Sequence, residues 1–110
     1  MIELEKTFTR DNIDDVIIAE FDPVINFTRI SSYQGEMLFT PTKVYLMPKY
    51  KEAAMVFKPK CFEYSEVLAY KRKLIAGYEI TLKSGAKILL SNVFGKMRAG
   101  ITAALDEHTK

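Results

Sequence analysis

With 110 residues, 48% of them hydrophobic and 27% charged, the chain has the mix of an ordinary globular domain, which excludes a disordered chain and leaves no room for two cores. No apolar run approaches the ~20 residues that a spanning helix needs. The opening Met-Ile-Glu-Leu-Glu-Lys carries two acids and no apolar h-region, so a cytoplasmic location is expected. Cys61 is the only cysteine; one thiol excludes an intrachain disulfide and a thiolate metal cluster, and beside Phe62 it reads as a small buried residue.

The net charge of +2 conceals an uneven distribution. Residues 1–40 hold three bases against eight acids, whereas residues 41–73 hold eight bases against three acids. On one folded surface such halves make a dipole able to orient toward an anionic surface. Their charges are expected chiefly to solvate and partly neutralise one another.

Residues 1–15 read as a polar, solvated lead-in. Their acids lack the glycine and glutamate positions of a calcium loop. Residues 16–27 are β-branched and aromatic, and Pro23 in their middle predicts a first strand that is bent, bulged or at an edge. Residues 35–49 predict a hairpin with Met37 and Phe39 on one side of its first strand and Val44 and Leu46 on one side of its second. Pro41 presets the turn. A lysine-rich connection follows, then strands over residues 60–64 and 67–74.

Residues 77–83 have the cleanest alternation in the chain, with Tyr78, Ile80 and Leu82 on one side. Ser84-Gly85 turns the chain into residues 86–91, where Ile88 and Leu90 face inward. The period then changes. Phe94, Met97, Ile101, Ala104, Leu105 and His108 recur at helical spacing, which predicts an amphipathic helix capped by Ser91 or Asn92. Gly95 and Gly100 each weaken it by roughly 1 kcal/mol relative to alanine, and Gly100 would permit close approach to the strands.

About seven strands and one closing helix resemble the pleckstrin-homology (PH) superfold. Gly35-Glu-Met-Leu-Phe-Thr40 followed by Lys43-Val-Tyr-Leu is similar to the GRAM-domain hairpin, and Val67, Tyr78-Glu-Ile-Thr-Leu-Lys-Ser-Gly85 and the helix resemble that family's second half. The resemblance implies a mainly β domain over residues 16–108, built as a partly open PH-like barrel and capped by the helix. Here Lys43 stands where the family more often has arginine, and the loop at residues 31–34 lacks the basic residues of phosphoinositide binders, with only Arg29 nearby.

No nucleophile, base and orienting group recur together, so no enzyme, cofactor or metal site is expected. His108, the only histidine, sits at a helix end where a cation favours the dipole. Nucleic acid is not expected as a partner, since a pI near 8.6 is below the usual basic footprint. In a PH-like barrel the lysine-rich connection lies near the first-strand loop. Lys49, Tyr50, Lys51, Lys58 and Lys60, with Arg29, then form a basic rim suited to weak peripheral association with an anionic membrane or a phosphorylated ligand. Lys71, Arg72 and Lys73 form a second cluster that strand alternation splits. The other function class is a protein-interaction or homo-oligomerisation module that uses a sheet edge at the bend around Pro23.

Overall fold

Across the hairpin of strands β4 (Tyr33–Phe39) and β5 (Lys43–Pro48), Met37 lies opposite Leu46 and Phe39 opposite Val44. All four are fully buried. Burying such a side chain stabilises by about 1.5–3 kcal/mol, so these two cross-strand pairs anchor the core. Between the strands, Thr40 is also buried. Its hydroxyl accepts from the Thr42 and Lys43 N–H groups at 3.3 and 3.0 Å and donates to the Lys43 carbonyl. The Thr40 carbonyl in turn accepts from the Tyr64 hydroxyl at 2.6 Å, whose pKa burial pushes up to about 12.

The structure, a computed structural model, describes residues 1–27 and 31–109. Besides β4 and β5 it contains β1 (Ile2–Glu3), β2 (Ala19–Phe21), β3 (Val24–Asn26), β6 (Lys60–Glu63), β7 (Val67–Lys73), β8 (Gly77–Leu82) and β9 (Lys87–Ser91). Helix α1 (Lys51–Ala54) makes a single turn and α2 (Gly95–His108) closes the chain. The strands run antiparallel in the order β1-β6-β5-β4-β3-β9-β8-β7, with β2 also beside β4. The fold is therefore mainly antiparallel β, partly open, with one C-terminal helix.

Nine strands are described where the sequence suggests about seven, for two physical reasons. Pro23 lacks an N–H and breaks the first strand into two. β2 pairs with residues 37–39 of β4, and after the corner β3 pairs with Tyr33 and Gln34 on one side and with β9 on the other. The expected bend is thus present, and β3 is bonded on both sides, while β2 is bonded to β4 and has α2 packed near it. The second reason is at the N-terminus, where β1 pairs with β6.

Residues 1–15 are more than a solvated stretch. Leu4, Phe8, Ile13 and Ile17 pack on a second cluster of Leu38, Tyr45, Met47 and Cys61, and Phe8 stacks on Tyr45 at 5.6 Å. That cluster is the outer face of β4, β5 and β6, so the central strands are covered on both faces.

Helix α2 contributes Ile101, Ala104 and Leu105 to the main core. Gly100 faces Phe21 so closely that an added Cβ would lie 2.6 Å from the ring, which fulfils the expected close approach. Two expectations fail at the helix start. Phe94, not Ser91 or Asn92, occupies the N-cap position, without a side-chain cap bond. Phe94 is also 66% exposed, while its neighbour Val93 is buried. The cause is backbone: Asn92 adopts φ of 59° and turns the chain, so Val93 rather than Phe94 enters the core. His108 stacks on Tyr64 at 4.7 Å and its Nδ1 lies 2.9 Å from the Ala104 carbonyl.

The β7–β8 turn is built differently. Ile75 and Ala76 both have positive φ, 54° and 55°. In this three-residue turn, Leu74–Ala76, positive φ favours glycine or asparagine, and the left-handed region costs other residues about 1–2 kcal/mol each, with β-branched side chains the worst suited.

Candidate functional site

The connection after β5 folds onto the start of β4. Lys49 N–H bonds the Gln34 carbonyl at 2.9 Å. Tyr50 then precedes the single turn of α1, and Lys6 holds the far side of the loop by donating to the Met55 carbonyl. Phe57 stacks on Tyr33 at 4.6 Å, Phe27 packs 6.5 Å from the same ring, and the Lys60 ammonium lies 4.3 Å above Phe27. Lys60 and the loop that precedes it thus sit beside the end of the first strand, at one mouth of the barrel. Burial raises the Tyr33 pKa, and its hydroxyl has no hydrogen-bond partner among the described residues.

Three of the lysines expected in the basic rim are ion-paired within the chain. Lys49 pairs with Asp22 at 2.9 Å, and that hydrogen bond and charge hold its ammonium above the ordinary range. Lys58 and Lys60 converge on Glu3, at 3.6 and 3.7 Å. Lys51 has no ion pair among the described residues, and Tyr50 is exposed with Lys49 5.8 Å from its ring. Arg29 lies outside the described residues.

Asp22 and Glu3 were not visible as partners in the sequence, because each is more than 25 positions from its lysine. Met55 and Val56 were also missed, although they are 69% and 70% exposed. The available signal was an apolar run, Ala53 to Phe57, standing between Lys51 and Lys58 in a connection too short to bury all of it.

The second basic cluster divides as alternation requires. Lys71 and Lys73 stand opposite Glu79 and Gly77, and Arg72 stands opposite Tyr78. Glu79 is buried, with Lys73 at 3.3 Å and Lys87 at 3.7 Å. Burial pushes its carboxyl up, but the Lys73 hydrogen bond and the surrounding ammonium charges outweigh this and leave the pKa below the ordinary value. Arg72 and Lys71 line a cleft of about 580 Å³ against α2 with Arg98, Tyr78, Thr102 and Asp106. Arg98 joins them only through the packing of α2, which no local pattern announces. Cys61 is buried and burial raises its pKa, which suits a packing thiol rather than a nucleophile. Among the described residues no helix is long and apolar enough to cross a membrane.

No protein-family profile matches the chain, and no curated protein matches it. Solved structures do. The chain is similar to the C-terminal domain of an unknown protein from Leishmania infantum, with a TM-score of 0.68 at 17% identity over 87% of this chain and 86% of that one. It is also similar to the C-terminal PH domain of pleckstrin, solved with D-myo-Ins(1,2,3,4,5)P5, with a TM-score of 0.67 at 13% identity over 86% of this chain and 100% of that one. A third match is the DH/PH fragment of PDZRHOGEF in complex with human RhoA, with a TM-score of 0.67 at 13% identity over 86% of this chain. There the chain spans only 29% of the longer fragment. At these identities the likeness establishes a PH-like fold.

Proposed function

We propose that the chain is a non-enzymatic, GRAM-like binding module that associates weakly and peripherally with an anionic membrane or a phosphorylated ligand through the connection between β5 and β6. The supporting observation is the exposure of Tyr50, Met55 and Val56 within a stretch bounded by Lys49, Lys51 and Lys58. Apolar side chains flanked by ammonium groups fit a headgroup boundary, where each cation contributes about 1 kcal/mol of attraction to an anionic leaflet. Because Asp22 and Glu3 already hold three of the four lysines, the association is expected to be weak and strongly screened by salt. The pleckstrin domain's inositol pentakisphosphate supports the ligand class by analogy of fold.

The test is sedimentation with phosphatidylserine-containing vesicles. Wild type is expected to sediment at low salt, and the Lys49→Glu, Lys51→Glu, Lys58→Glu combination to sediment less, with an unchanged circular dichroism spectrum. Equal sedimentation of the two proteins would overturn this reading. A thermal-shift series with soluble inositol phosphates separates a free phosphate from a lipid surface, since a bound ligand raises apparent stability by mass action.

A second reading, a protein-interaction or self-association module, is favoured by β7. Among the described residues this strand is bonded only to β8; it is exposed along most of its length and presents Leu68 to solvent. A mass that rises with concentration in light scattering would favour it; a strict monomer that sediments with vesicles would not.

A further inference from the structure

We propose that the β7–β8 turn is a membrane-inserting tip, a contact with an anionic bilayer that is separate from the basic connection described above and an alternative to it. Leu74 and Ile75 stand at this turn 90% and 98% exposed, the two most exposed large hydrophobic residues described. Packing explains neither of them. Backbone geometry argues against Ile75 as well, since it holds a β-branched side chain in the left-handed region at φ 54°. A turn whose backbone suits glycine or asparagine carries Ile-Ala instead, which points to a role other than folding or solubility.

The surroundings identify the occupant. Lys71, Arg72, Lys73 and Leu74 line one shallow hollow, so cations flank the apolar tip. The start of α2 adds to this end, because the Val93 N–H bonds the Ala76 carbonyl at 2.8 Å and the next residue, Phe94, is largely exposed. The first helical turn then carries Lys96 and Arg98 and no acid, the reverse of what the helix dipole favours. Lys71, Arg72, Lys96 and Arg98 form no ion pair among the described residues, unlike three of the lysines in the basic connection. Of the nearby carboxylates, Glu79 is buried under Lys73 and Lys87, and Asp106 accepts from the Tyr70 hydroxyl.

An apolar point inside an unpaired basic collar complements an acyl-chain boundary beneath anionic headgroups. A soluble phosphate would engage the collar and leave Leu74 and Ile75 in water. Register places the site: β3 runs with Val24 opposite Ser91 and Asn26 opposite Leu89, and Leu89 lies opposite Glu79. The β7–β8 turn therefore lies at the opposite strand ends from the connection that follows Asn26, away from the mouth where Lys60 covers Phe27.

The chain has no tryptophan, so Leu74→Trp supplies a single reporter. Its emission is expected to shift to the blue, and to be quenched by lipids brominated in the acyl chain, on vesicles of phosphatidylserine and phosphatidylcholine but not on phosphatidylcholine alone. An unshifted spectrum on vesicles that sediment the protein would overturn the proposal. Ile75→Asn with Ala76→Gly guards against misfolding as an explanation: melting temperature should hold or rise while vesicle affinity falls about tenfold or more. Retained affinity would overturn it, as would a doubled mass without lipid that this double variant abolishes, which would make the tip a contact between copies. Sedimentation lost in the tip variant but kept in the Lys49, Lys51, Lys58 variant leaves the tip standing and removes the basic connection. The reverse result removes the tip alone, and wild type that binds no vesicle removes both.

Discussion

Hairpins β4–β5 and β7–β8 have strands of similar length in the same sheet, yet their turns follow opposite rules. In the first, the Thr40 hydroxyl bonds the turn backbone three times, and the strands it joins are buried on both faces. In the second, Ile75 and Ala76 occupy left-handed backbone, and the outer strand is mostly exposed. One hairpin is specified by the core; the other keeps Tyr78, Ile80 and Leu82 inside and releases its end from stability rules. Departures from local consistency of this sort concentrate at functional sites.

The comparison can be broken most forcefully at Phe39. Phe39→Ala is expected to lower stability by about 3–5 kcal/mol, read as a fall in the urea midpoint, whereas Leu74→Ala should change it by no more than about 0.5 kcal/mol. Equal shifts would mean that both hairpins are core elements. Thr40→Val leaves turn N–H groups without their acceptor and is expected to cost about 1–3 kcal/mol in the same measurement; no loss would show that the hydroxyl does not hold the turn.

Opposite in sign, Ile75→Asn with Ala76→Gly should gain about 1–2 kcal/mol by relieving the left-handed strain, a rise of several degrees in melting temperature. A lower melting temperature would show that Ile75 contributes packing after all.

The smallest effect concerns acid. The Glu79 pKa lies below that of an unfolded glutamate, about 4.3. Its contribution to stability is therefore complete above about pH 4.3 and is lost as pH falls through the lower folded value. Glu79→Gln should melt below wild type at neutral pH, and the gap should narrow as pH falls from about 5 to about 3. A gap that stays constant would show that the carboxylate charge is not what Lys73 and Lys87 stabilise.

Much of this fold was legible in the sequence because its signals are local. Alternation at Tyr78, Ile80 and Leu82, the break at Pro23 and the helical spacing of Ile101, Ala104 and Leu105 each arise within a few residues. What escaped was non-local. β1 exists only because β6 offers it an edge, and Phe8 looks like a stray aromatic until Tyr45 lies beneath it. Phe94 kept the helical period yet left the core, because one left-handed residue at Asn92 redirected the chain.

The basic rim divided in the same way. Its lysines could be counted along the chain, but whether they stand paired on the surface depended on Glu3 and Asp22 from the other half. Conversely, the cluster at Lys71–Lys73 looked minor until α2 brought Arg98 beside it.

The corner at Pro23 also bears on how the chain reaches this state. Strands β4, β5 and β6 form one meander and β7, β8 and β9 another, and each can assemble from contacts close in sequence. The hydrogen-bonded bridge between them is β3, three residues that pair with β4 on one side and with β9, more than 60 positions away, on the other. Closing that distance is the entropically slow step. Folding should therefore be limited by the docking of two preformed halves onto residues 24–26, and a chain cut between β6 and β7 should regain its structure when the two pieces are mixed.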